Sequence, residues 1–198
     1  GATQRLTTDT RYEVSPVEKP DGTRVLYVRL DEHWVDHEIV SVAAGGGDAH
    51  VIASDTDFFD YHYGRTFGVP VVSPDGGTVL FRSHRSGWIN YWTVPVGGGE
   101  PRQYCSQAAD QSGASWSPDG RQLAFLSNTN GTVALWRCDA DGSNAHVLVA
   151  PAQGVCAAPA WSPDGATIAF FRSAPDDTQD LWLVEVASGT ARRVTDTL

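Results

Sequence analysis

Methionine is absent from all 198 residues, position 1 included. The chain therefore reads as processed or excised from a longer one. Cysteine is scarce, with only Cys105, Cys138 and Cys156, and no C-x-x-C pair. An odd, widely spaced set excludes a fully paired disulfide framework and argues against a zinc site or redox pair, which leaves buried structural thiols. Basic residues are few: 14 lysines and arginines face 24 carboxylates, for a formal charge of −10. A phosphate backbone demands a basic face, so nucleic acid is excluded as a partner. No apolar run reaches the roughly 18 residues a membrane-spanning helix needs, and no membrane partner is expected. The first residues, Gly1-Ala2-Thr3-Gln4, have neither the charged nor the apolar region of a signal peptide. Helical periodicity is missing too, because glycine or proline interrupts every candidate window.

What the chain has in quantity is repetition. Trp116-Ser117-Pro118-Asp119-Gly120 recurs as Trp161-Ser162-Pro163-Asp164-Gly165, and stands earlier as Val72-Ser73-Pro74-Asp75-Gly76. A looser copy is Pro20-Asp21-Gly22. Proline presets φ at one corner, aspartate bonds nearby N–H groups and glycine accepts positive φ, so each copy closes a hairpin. An apolar run follows each turn, as in Leu123-Ala124-Phe125-Leu126. A third run (Glu38-Ile39, Tyr91-Trp92, Leu135-Trp136, Leu181-Trp182), a glycine turn and a fourth short run complete each unit. Four strands per unit, at a spacing of about 45 residues, is the arithmetic of a β-propeller blade. The expected fold is all-β: four-stranded antiparallel blades at about 12–53, 69–106, 113–150 and 158–195, forming part of a larger propeller. Gln4-Arg5-Leu6-Thr7 matches the end of a blade, and residues 4–7 are expected as the outer strand of a preceding one.

The phrase W-S-P-D-G-x-x-(L/I)-A-F, followed by L-W and a glycine turn, resembles the propeller repeat of TolB and of prolyl oligopeptidase-family serine peptidases. Residues 13–198 carry the resemblance. The run Ser83-His84-Arg85-Ser86-Gly87-Trp88-Ile89-Asn90-Tyr91-Trp92 is similar to one common in dipeptidyl-peptidase-like propellers. The resemblance implies a domain that gates and binds substrate for a hydrolase elsewhere in the parent chain. It does not make this chain an enzyme. The family's nucleophile sits in a G-x-S-x-G elbow, and no such pentapeptide occurs here. Asp119 and Asp164 are already used by their turns, so no catalytic residue is assigned. The triple glycines Gly45–Gly47 and Gly97–Gly99 fill turns and match no phosphate-binding loop.

Three departures from the repeat are the candidate sites. Residues 54–68 hold five aromatics among carboxylates, and a partner or substrate contact there would use Tyr61, His62 and Arg65. Arg85 and Trp88, in the second unit, are the other contact candidates. His33 and His37, flanked by Asp31, Glu32 and Asp36, suit metal ligands by chemistry. The same residues fit a solvated hairpin loop, which is the expected reading, with no metal and no cofactor. Two alternatives stay open. One is a free-standing TolB-like interaction propeller, periplasmic or secreted where the peptidase reading implies the cytoplasm. The other is a metal-dependent propeller lyase resting on His33, His37, His50, His62 and His84. The expected partners are the remainder of the parent propeller or its hydrolase domain, or a protein or peptide. Unpaired blade faces would also permit a homo-oligomer.

Overall fold

Each repeat turn folds around one aspartate oxygen. In the third copy Ser117 Oγ donates to Asp119 Oδ1 (2.6 Å), and the same oxygen accepts from the Arg121 N–H (3.0 Å). Ser117 Oγ also accepts from the Gln122 N–H (2.9 Å), and Gly120 closes the turn at φ 69° by donating to the Ser117 carbonyl (2.9 Å). Ser73 with Asp75 (2.5 Å) and Ser162 with Asp164 (2.6 Å) repeat the arrangement. The divergent first copy has Lys19 in the serine position. There the Lys19 ammonium donates to Asp21 (2.6 Å) and Thr23 Oγ1 supplies the hydroxyl (2.7 Å). Because the turn fixes which residues leave it opposite one another, it sets the register of the hairpin behind it.

In the computed structural model, residues 3–33, 36–55, 69–129, 131–150, 154–173 and 178–195 are described. Among them are sixteen strands and no helix. The first sheet holds β1 (Tyr12–Glu18), β2 (Arg24–Leu30), β3 (His37–Ala43) and β4 (His50–Asp55). The second holds β5 (Val71–Val72), β6 (Thr78–Ser83), β7 (Asn90–Pro95) and β8 (Arg102–Gln103). The third holds β9 (Gln111–Trp116), β10 (Gln122–Ser127), β11 (Ala134–Asp139) and β12 (His146–Val149). The fourth holds β13 (Cys156–Trp161), β14 (Thr167–Ser173), β15 (Gln179–Glu185) and β16 (Ala191–Arg193). Within every sheet the strands lie in sequence order, so each is a four-stranded antiparallel meander.

The innermost strands of the third and fourth sheets begin two residues ahead of the expected positions 113 and 158. Both strands bulge there, at Gly113 (φ 59°) and Ala158 (φ 46°), and β1 does the same at Ser15 (φ 54°). One extra residue per bulge breaks the alternation by which a strand is read from sequence. Residues 4–7, expected as an outer strand, form no ladder with any described strand. Leu6 packs against the cluster of Tyr27, Val40 and Val42, while Gln4 Nε2 donates to the Gly45 carbonyl (3.0 Å).

The chain divides into two compact units: Gly1–Gly87 with Tyr91–Gln103, and Trp88–Asn90 with Tyr104–Leu198. Each unit has its own core. In the first, Leu26, Ile39 and Ile52 lie against Val79, Phe81 and Val94. In the second, Ala124, Leu126, Leu135 and Val149 lie against Cys156, Ile168, Phe170 and Val184. The run after each turn is apolar at consecutive positions, and adjacent residues along it point to opposite faces of the sheet.

The fourth sheet tests this directly. Phe170 is fully buried in the core, whereas its neighbour Phe171 points the other way and is exposed. Phe170→Ala is expected to lower unfolding free energy by about 3–5 kcal/mol. Phe171→Ala is expected to change it by about 0.5 kcal/mol or less. Urea unfolding of the two variants checks the difference.

Candidate functional site

The most elaborated departure from the repeat is the β6–β7 hairpin. Its turn closes through the Gly87 N–H on the His84 carbonyl (2.8 Å). Arg85 is drawn back toward β6 by its backbone N–H (3.2 Å) and Nε (2.9 Å), both donating to Ser83 Oγ. The guanidinium then reaches the end of β4. It donates to the Ser54 carbonyl (3.0 Å) and pairs with the buried Asp55 carboxylate (3.2 Å). It also lies over the rings of Trp92 (5.0 Å) and Phe81 (5.7 Å). His37 Nε2 is 3.9 Å from the other side of the same ion pair, at Asp55 Oδ2. Arg85 thus ties the first sheet to the second, and Asp55 immediately precedes the long 56–68 segment.

Of the sequence candidates, Arg85 is placed in this clamp and Trp88, three residues on, is 45% exposed. Tyr61, His62 and Arg65 lie outside the described residues. His33 is exposed, with Nδ1 3.7 Å from Asp31 and 3.9 Å from Glu32, whereas His37 turns to Asp55. Among the described residues, no group of three or more histidine, cysteine or carboxylate side chains is arranged to hold a metal ion. His50 is 3.0 Å from the Arg24 guanidinium through Nδ1.

Sequence reasoning did not single out Asp55, or a second ionic cluster on the first sheet. There Arg29 bonds Asp9 (2.9 Å) and Glu38 (2.7 Å), and Arg11 bonds the same two carboxylates (2.9 and 3.1 Å). Half of that cluster had a signal, since Arg29 and Glu38 are directly opposed across β2 and β3. Asp9 and Arg11 come from a segment with no periodicity to read. The three cysteines are buried. A hydrogen bond with Cys138, reinforced by burial, pushes the Cys105 thiol up, and burial pushes the Cys156 thiol up.

The turn carboxylates have the opposite shift. Hydroxyl and N–H donors hold Asp75, Asp119 and Asp164 below the usual carboxylate range, with the serine hydroxyl the leading cause in each. A carboxylate whose anion is already stabilised by donors is a weak proton acceptor, so these groups are unsuited to acid–base work near neutrality. The arrangement is built to hold backbone and charge in place.

Four-stranded meanders repeated around one turn define the class of protein, a β-propeller. No family model matches the chain. The chain is 32% identical over 122 residues to an uncharacterized protein of Agrobacterium fabrum, covering 57% of this chain and 41% of that one. It is 30% identical over 142 residues to the Tol-Pal system protein TolB of Anaeromyxobacter dehalogenans, covering 71% and 30%. It is 31% identical over 106 residues to the uncharacterized peptidase YuxL of Bacillus subtilis, covering 50% and 16%. The chain therefore spans less than half the length of these relatives. Among solved structures, TolB from Acinetobacter baumannii superposes with a TM-score of 0.72 at 22% identity, over 97% of this chain and 45% of that one. A puromycin hydrolase superposes with a TM-score of 0.76 at 19% identity, over 98% and 31%.

The chain is a β-propeller domain of the TolB and prolyl-oligopeptidase type. Both TolB and peptidase propellers stand among the proteins it resembles, and no catalytic domain is found among its described residues.

Two predictions follow from the geometry of the site. Arg85→Ala leaves the buried Asp55 without its guanidinium and is expected to cost about 3 kcal/mol in urea unfolding. The turn aspartates give the domain an acid limb. Their folded pKa values lie below the unfolded value of about 3.9, so their stabilisation is present above that pH and is lost as pH falls through the folded values. A variant with Asn at positions 75, 119 and 164 is expected to be less stable at pH 6. Its thermal midpoint is expected to decline less steeply than that of the parent below about pH 4.

Proposed function

We propose that this propeller is the substrate-gating and binding domain of a prolyl-oligopeptidase-like serine peptidase, whose hydrolase domain lies elsewhere in the parent polypeptide. The observation that carries the reading is the Ser83–Trp92 run. Its arginine is committed to the scaffold through Asp55, while Trp88 is left at the surface of the hairpin. An exposed indole beside an anchored turn offers an aromatic contact of the kind binding surfaces use. Trp88, with Tyr61, His62 and Arg65 from the long segment, is the contact set this reading assigns, and Arg85 positions its hairpin. The identity with a protein named as a peptidase and the fold shared with a puromycin hydrolase support it. In the peptidases this chain resembles, blades surround a channel that limits which peptides reach the nucleophile, and the absence of a G-x-S-x-G elbow fits a domain that binds and excludes.

A second reading is a TolB-like interaction propeller with a protein partner and no hydrolase. It is favoured by the stretch of 142 residues aligned with a TolB protein, the longest of the three alignments above.

The two are separated by labelling with a fluorophosphonate, which modifies an activated serine. The 198-residue chain is expected to stay unlabelled and to hydrolyse no aminoacyl or dipeptidyl nitroanilide. The full parent protein is expected to be labelled at one serine. In that parent, Trp88→Ala is expected to raise KM for peptide substrates with kcat little changed, as for a residue that contributes binding alone. Turnover by the purified chain overturns the proposal. A parent that takes no label and retains a protein partner establishes the TolB-like reading in its place.

A further inference from the structure

The spacing of the three cysteines pairs none of them, but the fold brings two together. After β8 the chain turns at Cys105 through φ 46°, a left-handed conformation uncommon outside glycine. Cys105 Sγ donates to the Gly142 carbonyl (3.1 Å), in the turn between β11 and β12. The backbones are close here as well, since a Cβ on Gly142 would stand 3.0 Å from the Cys105 nitrogen. Cys138, the last residue but one of β11, reaches the same place. Its Sγ donates to Tyr104 Oη (3.5 Å), and the Tyr104 hydroxyl donates to the Asp139 carbonyl (2.7 Å). Two consecutive residues, Tyr104 and Cys105, are thus seated on the end of β11, and the two sulfurs lie within hydrogen-bond reach of each other. Cys156 takes no part, being buried in the core with Leu135, Ile168 and Phe170.

The segment that begins at Cys105 has other ties. The Cys105 carbonyl accepts from the buried Gln111 side chain (2.8 Å). Ala109 and Asp110, just before Gln111, bond the Asn90 side chain (2.8 Å) and the Ile89 N–H (2.9 Å), the two residues that follow Trp88. A covalent bond at Cys105 would therefore brace the stretch to which those residues are tied.

We propose that Cys105 and Cys138 form a thiol–disulfide site, at which a low-molecular-weight disulfide closes an intrachain bond that fastens the 104–111 segment to β11. Cys105 is 8% exposed and Cys138 1%, so the first step falls to Cys105. Its sulfur loses a proton and attacks one sulfur of the oxidant, which releases one small thiolate. The Cys138 sulfur then loses its proton and attacks Cys105 in the mixed disulfide, releasing the second. The two small thiolates take up the two protons. One S–S bond is exchanged for another, the two cysteines are oxidised by two electrons, and the oxidant is reduced to two thiols. The hydrogen bond with Cys138 and burial both hold the Cys105 thiol above its ordinary range, which leaves little thiolate at neutral pH and makes the first step slow. The inference rests on these contacts alone and holds on either reading of the function.

The test exposes the folded 198-residue chain to 2-hydroxyethyl disulfide at neutral pH over hours. The chain is then denatured, its thiols are counted with a maleimide, and the bonded peptides are mapped by mass spectrometry. Free thiols are expected to fall from three to one, with Cys105 joined to Cys138 and Cys156 free. The oxidised chain is expected to melt about 5 °C higher, and dithiothreitol to reverse the gain. Cys156→Ser is expected to leave both results unchanged, and Cys105→Ser to retain both of its remaining thiols. Mapping uses the unsubstituted chain, so the outcome does not depend on the folding of a variant. Three thiols surviving the exposure, a bond that includes Cys156 or links two chains, or a mixed adduct that never resolves overturns the proposal. An oxidised chain that melts no higher than the reduced one overturns it too.

Discussion

A four-stranded sheet with apolar residues on both faces has no stable existence alone in water, because each face must be covered by something of matching shape. This constraint organises everything else in the molecule. It explains why the second strand of each repeat is apolar at consecutive positions, with Leu123, Ala124, Phe125 and Leu126 buried in one run. It also explains why the cores are lamellar, each built from one face of one sheet and the opposite face of the next. With about 25 cal/mol for each Å² of apolar surface removed from water, a covered face contributes far more than any single polar contact in the turns.

The turns supply precision where burial supplies strength. A face is covered only if its residues emerge on the correct side, and a slip of one residue would put Phe170 outside and Phe171 inside. The aspartate-centred hydrogen bonds prevent that slip by holding the two strands of the first hairpin at one offset in every repeat. Where the serine is missing, Thr23 supplies both a hydroxyl and an N–H to Asp21 Oδ1, while Lys19 bonds the other oxygen. The quantity repeated within the chain is thus an oxygen with two donors, and more than one set of side chains can provide it.

Most of the architecture was legible in the sequence because the turn chemistry is local and repeats. Asp119, Gly120 and the run behind them declare a hairpin without reference to anything distant. Two features were not legible. The strands that bulge at Gly113 and Ala158 start two residues ahead of the expected positions, a shift that no apolar alternation reveals. The Asp55–Arg85 pair joins residues 30 apart, and Asp55 gave no signal of its own. Trp88 and Arg85 did stand out, since both interrupt the repeat, but the sequence did not distinguish the anchor at the surface from the clamp beneath it.

That distinction bears on where function resides in a repeat protein. Residues shared by all repeats are consumed in making each sheet and covering its faces, and the lowered turn carboxylates show how completely they are engaged. Chemistry that singles out one partner must therefore come from positions where one repeat differs from the rest. In this chain those are the β6–β7 hairpin, the long segment after Asp55 and the Arg29–Glu38–Asp9–Arg11 cluster. The cluster bonds its own charges internally, so it reinforces one sheet. The hairpin is different: Arg85 secures it from below through a buried carboxylate while Trp88 remains at the surface. An aromatic side chain beside an anchored turn and in contact with solvent is the kind of group a partner can meet. On the reading proposed above, the hairpin, more than any turn or core residue, is the binding surface.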